Sequence, residues 1–322
     1  MKNLIRDSLI PWSLFAAALA LTLANIEPAK LPSLWRTHAD IGTLAIALTP
    51  IIITGGIDLS VGSIVALSGI VTGLAHRDLG LPMSLALFAG LATGASAGAI
   101  NGLLVAQGIA PLVATLATMA LFRGLAMGLV NGERIAPLPE ELVNWVSTPQ
   151  LGLPVQVYLL IAAAIFFWIF LHHTIWGRSV FAIGENRLAA EFAALPVRRR
   201  EASLYVLSGL FAALVAVMQT ASQNAAVPDA ARSFELQAIA CVVLGGTRVT
   251  GGFGSIGRTM LGLVTLAHLQ IGLSLSSQRK WVIPGWSQPV KLDAEMRLII
   301  VGLLVILVAV INERRTAGRR ES

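Results

Sequence analysis

The sequence predicts an all-α fold, a polytopic transmembrane bundle of about ten helical spans with both termini cytoplasmic. Composition is the first observation. Of 322 residues, 56% are hydrophobic and 12% are charged, with a mean hydropathy of +0.77. A soluble domain carries about a quarter of its residues charged. The second observation is run length, because stretches of roughly 15–20 residues pass without a charge, enough for a helix to cross a bilayer. The third is where the arginines fall. They gather in a loop over 172–201, with Arg178, Arg187, Arg198, Arg199 and Arg200, and in a tail over 313–322, with Arg314, Arg315, Arg319 and Arg320. Short basic segments stay on the cytoplasmic side.

The candidate spans in chain order are 8–26, 39–54, 61–75, 82–105, 110–130, 155–172, 202–221, 236–247, 255–275 and 297–312. The first follows Lys2 and Arg6 like a secretory signal, but no small-residue cleavage site follows it, so it reads as an uncleaved span. Segments 39–54 and 236–247 are short and marked by Pro or Gly, and topology decides them. The two arginine-rich segments must be separated by an even number of crossings. The strong segments 202–221, 255–275 and 297–312 supply three, so 236–247 must cross as well. The same parity from Lys2 and Arg6 to the loop counts 39–54 and 61–75 separately. Outside, 131–154 and 274–296 are the long connections, and the second carries Trp281 and Trp286, suited to a membrane surface. One domain covers 1–322, with 172–201 as its cytoplasmic loop and 313–322 as its basic tail.

The formal charge of +6 does not indicate nucleic acid, because the basic residues are scattered in short loops rather than massed with stacking aromatics. Cys241, the single cysteine, lies in an apolar run and reads as a buried thiol. The glycine clusters at 245–246 and 251–254 are followed by no Gly-Lys-Ser/Thr, so no triphosphate cradle is present and any ATP must be bound by another chain. His172 and His173 are adjacent, at a span end, without the spacing of a metal site. No nucleophile elbow or paired carboxylate indicates an enzyme, and neither metal nor cofactor is expected.

Ionisable residues inside spans cost on the order of 3 kcal/mol and therefore mark structure or function. Asp58 follows two glycines and is placed to cap a helix starting at Leu59 or Ser60, with lining of a solute path as the other reading. Arg123 and His268 are the further candidates, with snorkelling or an interhelical hydrogen bond as their simpler role. So few intramembrane carboxylates argue against a proton- or sodium-coupled carrier. Thr54-Gly55-Gly56 with Ser60-Val61-Gly62 is echoed by Thr250-Gly251-Gly252 with Ser255-Ile256-Gly257, the pattern an internal repeat leaves.

The loop over 172–201 is long for a connector. Asn186 is placed to cap a short helix running through Ala194 and ended by Pro196, with Leu188, Phe192 and Leu195 on one apolar side. That side is suited to a partner's groove, and equally to lipid headgroups.

These motifs taken in order resemble the ribose-type permease subunits of binding-protein-dependent ABC importers. The resemblance rests on Gly55 to Ser63, His172-His173-Thr174 with Gly177-Arg178, Gly184-Glu185-Asn186 with Ala189-Ala190, and Val242 to Thr247 with Gly251-Gly252. It covers nearly the whole chain. It implies a ten-helix subunit of a bacterial inner membrane that pairs with a second permease, two cytoplasmic ATPases and a periplasmic sugar-binding protein. It implies import of a monosaccharide, with similar permeases serving nucleosides or branched-chain amino acids. Gly184, Glu185, Asn186, Leu188, Ala189, Ala190 and Phe192 then match the helix that couples to the ATPase. Members often carry Gly-Ile or Gly-Val where this chain has Ala194-Leu195.

Overall fold

The structure, a computed structural model, describes residues 12–20 and 31–276 together with single positions between 296 and 310; side chains of 31–34 and 274–276 lie outside the description. The described residues form α-helices without a strand: a helical stretch over 12–20, then α1 (Leu31–Ile53), α2 (Val61–Arg77), α3 (Met83–Ala106), α4 (Pro111–Gly128), α5 (Glu140–Ser147), α6 (Val155–His173), α7 (Ile175–Glu185), α8 (Arg187–Phe192), α9 (Val197–Ser222), α10 (Phe234–Leu244) and α11 (Ile256–Ser276). The described positions between 296 and 310 are helical. Five helices, α3, α4, α6, α9 and the stretch Ile256–Leu273 of α11, are long and apolar enough to cross a membrane. The chain is an all-α polytopic membrane protein. The loop holding Trp281 and Trp286, and the tail over 313–322, lie outside the described residues.

Helix α1 is the axis of the bundle. It runs longer than the 39–54 expected, and from Ala39 to Ile53 every residue is buried among α6, α9, α10 and α11. A helix apolar all round needs such enclosure. Around it, α2, α3 and α9 form the tightest layer. Glycines recur every fourth residue on α3, at Gly90, Gly94, Gly98 and Gly102, which places them on one face. Any Cβ at Gly94 would strike the Gly209 carbonyl, one at Gly98 the Tyr205 carbonyl, and one at Gly102 would sit 2.5 Å from the Ala202 carbonyl. The backbones of α3 and α9 therefore touch, the packing that small residues permit where lipid removes a hydrophobic drive between helices.

Two helices depart from plain spans. Helix α10 has 11 residues, about 15 Å, too short to cross alone, and the irregular segment 223–233 precedes it. Gly73 of α2 faces Ala226 and Ile135, whereas Gly62, about three turns earlier, faces the Ala231 carbonyl and Glu235. The segment thus descends along α2 into the bundle before α10 begins. On the other side, residues 54–60 climb from the end of α1 to the start of α2 without helical structure. The two echoing Thr-Gly-Gly segments lie side by side, since a Cβ on Gly55 would be 3.7 Å from the Thr250 carbonyl and one on Gly251 3.1 Å from the Gly55 nitrogen. Gly55 and Gly251 hold φ of 83° and 91°, a region open to glycine at little cost.

Candidate functional site

Two clusters contain most of the residues singled out from the sequence. The first is the arginine-rich loop. It is two helices rather than one, because Asn186 is extended, with φ −158°, and breaks the chain between α7 and α8. Gly184 and Glu185 therefore end α7, while Leu188, Ala189, Ala190 and Phe192 belong to α8. Asn186 Oδ1 accepts the Ala189 N–H at 3.0 Å and caps α8. The helix ends at Phe192, short of Ala194. Leu195 N–H donates to the Ala190 carbonyl (3.1 Å) and Ala194 N–H to the Glu191 carbonyl (3.0 Å), a Schellman ending. Its turning residue is Ala194, at φ 59°. A left-handed backbone at this position is one that glycine adopts more readily than alanine.

Burial orients α8. Ala190 is buried with Ile183 and Val197, and Leu195 packs on the same cluster. Leu188 is 66% exposed and Phe192 is 90% exposed. Arg187 pairs with Glu201 of α9 at 3.1 Å and with Glu191 at 3.3 Å, and the Arg200 guanidinium stacks 3.7 Å from the Trp176 ring centroid, tying α9 back to α7. At the end of α7, a Cβ on Gly184 would strike the Ile53 carbonyl, which accepts the Gly252 N–H at 2.8 Å. One on Gly252 would lie 2.7 Å from Glu185 Oε2. The end of α7, the end of α1 and the second Thr-Gly-Gly segment thus form one glycine-packed junction.

The second cluster is a buried polar knot around Asp58. Helix α2 starts at Val61, one or two residues later than the Ser60 or Leu59 start expected, with Ser60 as N-cap. Asp58 Oδ1 accepts the Ser60 N–H at 2.9 Å and the Ser60 hydroxyl at 2.7 Å, and Oδ2 accepts the Ser208 hydroxyl of α9 at 3.1 Å. Asn101 of α3 donates to Ser60 Oγ at 2.7 Å, and Thr118 of α4 donates to Asn101 Oδ1 at 2.6 Å. Asp58, Ser60, Asn101, Thr118 and Ser208 are all buried. Four elements are pinned at one point, and Asp58 and Ser60 are brought together there. Asn101, Thr118 and Ser208 were not singled out from the sequence. Asn101 was the legible one, an amide inside an apolar run on the glycine face of α3.

Arg123 and His268 stand elsewhere. Arg123 donates to the carbonyls of Pro228 (3.2 Å) and Ala230 (2.7 Å), holding the descending segment against α4. His268 donates from Nδ1 to the Val264 carbonyl at 2.8 Å and meets Trp35 and Phe15 edge-on, with ring centroids 5.6 and 6.2 Å away. Among the described residues, no three His, Cys, Asp or Glu side chains gather as a metal site.

The chain matches the family described as the permease component of the branched-chain amino acid transport system over residues 33–309. The chain belongs to this permease family. The permease is 40% identical over 242 residues to an autoinducer 2 import system permease protein of Yersinia enterocolitica, covering 73% of each chain. It is 35% identical over 311 residues to the ribose import permease protein of Bacillus subtilis, covering 94% of this chain and 92% of the other. An Escherichia coli autoinducer 2 permease is 36% identical over 274 residues, 83% and 81% of the two chains. No solved structure matches significantly.

Proposed function

We propose that this permease is the membrane subunit of an ATP-driven bacterial importer for a monosaccharide or a closely related hydroxyl-rich solute. The carrying observation is its 35% identity across 94% of its length to a permease named for ribose import. The autoinducer 2 permeases support the same solute class. The family description favours a second reading, import of branched-chain amino acids; nucleosides are the third solute class served by similar permeases. Several relatives named for a sugar or a signal solute outweigh a description that covers the family as a whole.

In this reading the chain spans an inner membrane ten times with both termini cytoplasmic, hydrolyses nothing itself, and pairs with a second permease. Helix α8 docks its exposed Leu188 and Phe192 into a groove of a cytoplasmic ATPase, as a small amphipathic helix enters an apolar groove. Rigid-body movement of the ATPase then reaches α1 and α11 through the glycine junction at Gly184 and Gly252, where close backbone packing transmits displacement. Asp58 and Ser60 serve structure, fixing the start of α2 so that the spans move as a unit. A binding protein outside the membrane selects the solute, so the path itself needs no deep binding well.

Affinity purification of the tagged chain from its native membrane tests this. Co-purification of an ATPase and a solute-binding protein is expected. A screen of that binding protein against ribose, other sugars, leucine and nucleosides then names the solute. Purification alone, with transport in liposomes that needs no ATP, would overturn the reading in favour of a secondary carrier.

A further inference from the structure

The descending segment before α10 carries more charge than a membrane interior tolerates. Its depth follows from α9. Ser208, which bonds Asp58 beside the start of α2, is six residues into the apolar stretch 202–221 of α9, roughly 9 Å along a span of about 29 Å. A Cβ on Gly62 at that start would strike Glu235 Oε2 and lie 2.6 Å from the Ala231 carbonyl. The first turns of α2 and α10 therefore meet well inside the span, and the segment before α10 passes through the depth above them. Arg123 reaches the same place from α4, bonding the Pro228 and Ala230 carbonyls, within electrostatic reach of Asp229, Arg232 and Glu235.

Asp229 and Arg232 are exposed, and Arg123, Ser233 and Glu235 are half-buried. Lipid contact would cost on the order of 3 kcal/mol for each exposed charge near the bilayer centre. Non-helical backbone at such depth survives only inside protein or against water. Both constraints are met if this surface borders water. We infer that the segment 227–235, with Arg123 behind it, lines a water-filled stretch of the solute path at mid-membrane depth. Its two guanidiniums and two carboxylates sum to zero, so it repels neither sign of charge strongly. Carboxylate beside guanidinium offers acceptors and donors together, which a vicinal diol uses pairwise. The solute class is thus an uncharged, hydroxyl-rich molecule that passes Asp229 and Arg232. Arg123 acts as a positioning residue, its hydrogen bonds spent on the segment's carbonyls.

This inference rests on the transport reading, but its test does not need transport. Cys241 is buried, so an introduced cysteine gives a clean signal. Ser233→Cys leaves all four charges in place, and Arg232→Cys is the second variant. Ile165→Cys, on the 55% exposed outer face of α6 and ten residues from its start, serves as the lipid-facing control. The full chain in unsealed native membranes is treated with cationic and with anionic methanethiosulfonate reagents, which reach both aqueous faces and react only with hydrated thiolates. Expected is labelling of Ser233→Cys and Arg232→Cys at least tenfold faster than Ile165→Cys. For Ser233→Cys the rates for the two reagents should agree within about threefold. Labelling no faster than the control in both variants would overturn the water-lined path, even in a chain that imports sugar with an ATPase. A tenfold preference of Ser233→Cys for one sign would overturn the uncharged-solute assignment.

Discussion

Asp58→Ala is the sharpest probe of the polar knot. The carboxylate accepts three hydrogen bonds in a site closed to water. The Ser60 and Ser208 hydroxyls can turn toward other acceptors, whereas the Ser60 N–H has a fixed direction and is left without one. An orphaned buried donor costs about 1–3 kcal/mol, and a charge-assisted bond lost elsewhere in the knot adds a comparable amount, for a total of about 2–4 kcal/mol. Asp58→Asn keeps an oxygen facing Ser60 and should lose about 1 kcal/mol or less, since Ser208 can accept from the new amide. Unfolding in mixed micelles, followed by tryptophan fluorescence, measures both variants alongside the yield of monodisperse protein. An alanine variant as stable as the wild type, with altered solute preference, would refute the structural role and make Asp58 a residue of the solute path.

Ala194→Gly should stabilise the turn after α8 by about 1 kcal/mol, because glycine takes the left-handed conformation without a Cβ clash; slower proteolysis of the loop is the readout, and Ala194→Val should reverse the effect. Gly98→Leu places a side chain against the Tyr205 backbone, separates α3 from α9 and should reduce folded yield severalfold, measured by size-exclusion chromatography in detergent. Glu185→Arg, or deletion of 186–190, should leave the spans inserted yet uncouple ATP hydrolysis from transport; solute-stimulated ATPase activity at the wild-type level in either variant would remove the coupling role.

The spans were legible in the sequence because bilayer thickness imposes a run length that few other constraints imitate. Parity from the arginine clusters assigned 236–247 to a crossing, and the structure gives that region an 11-residue apolar helix. What parity could not supply was the division of labour there, in which eleven helical residues follow an irregular descent, because composition does not distinguish a half-helix from a short span. The capping role of Asn186 was readable locally, since an amide before a small-residue helix has few alternatives. The end of α8 was not, because Ala194 has no glycine to announce a positive φ. The rest of the polar knot around Asp58 was hidden for a different reason. Ser208, Asn101 and Thr118 lie 150, 43 and 60 positions away, brought together by the glycine-mediated contact of α3 with α9 and the packing of α4 on α2 and α3. The four-residue glycine period on α3 was present to be read, and it would have placed Asn101 on the buried face.

The central claim is that this chain moves a hydroxyl-rich solute only when a separate ATPase drives it. The most direct test is uptake of radiolabelled solute into proteoliposomes holding the purified complex, with the binding protein on the entry side and ATP supplied to the ATPase. Uptake that requires ATP, the ATPase and the binding protein, and is lost on deletion of 186–190, is the predicted result. Equal uptake by the permease chain alone, with or without ATP, would contradict the account.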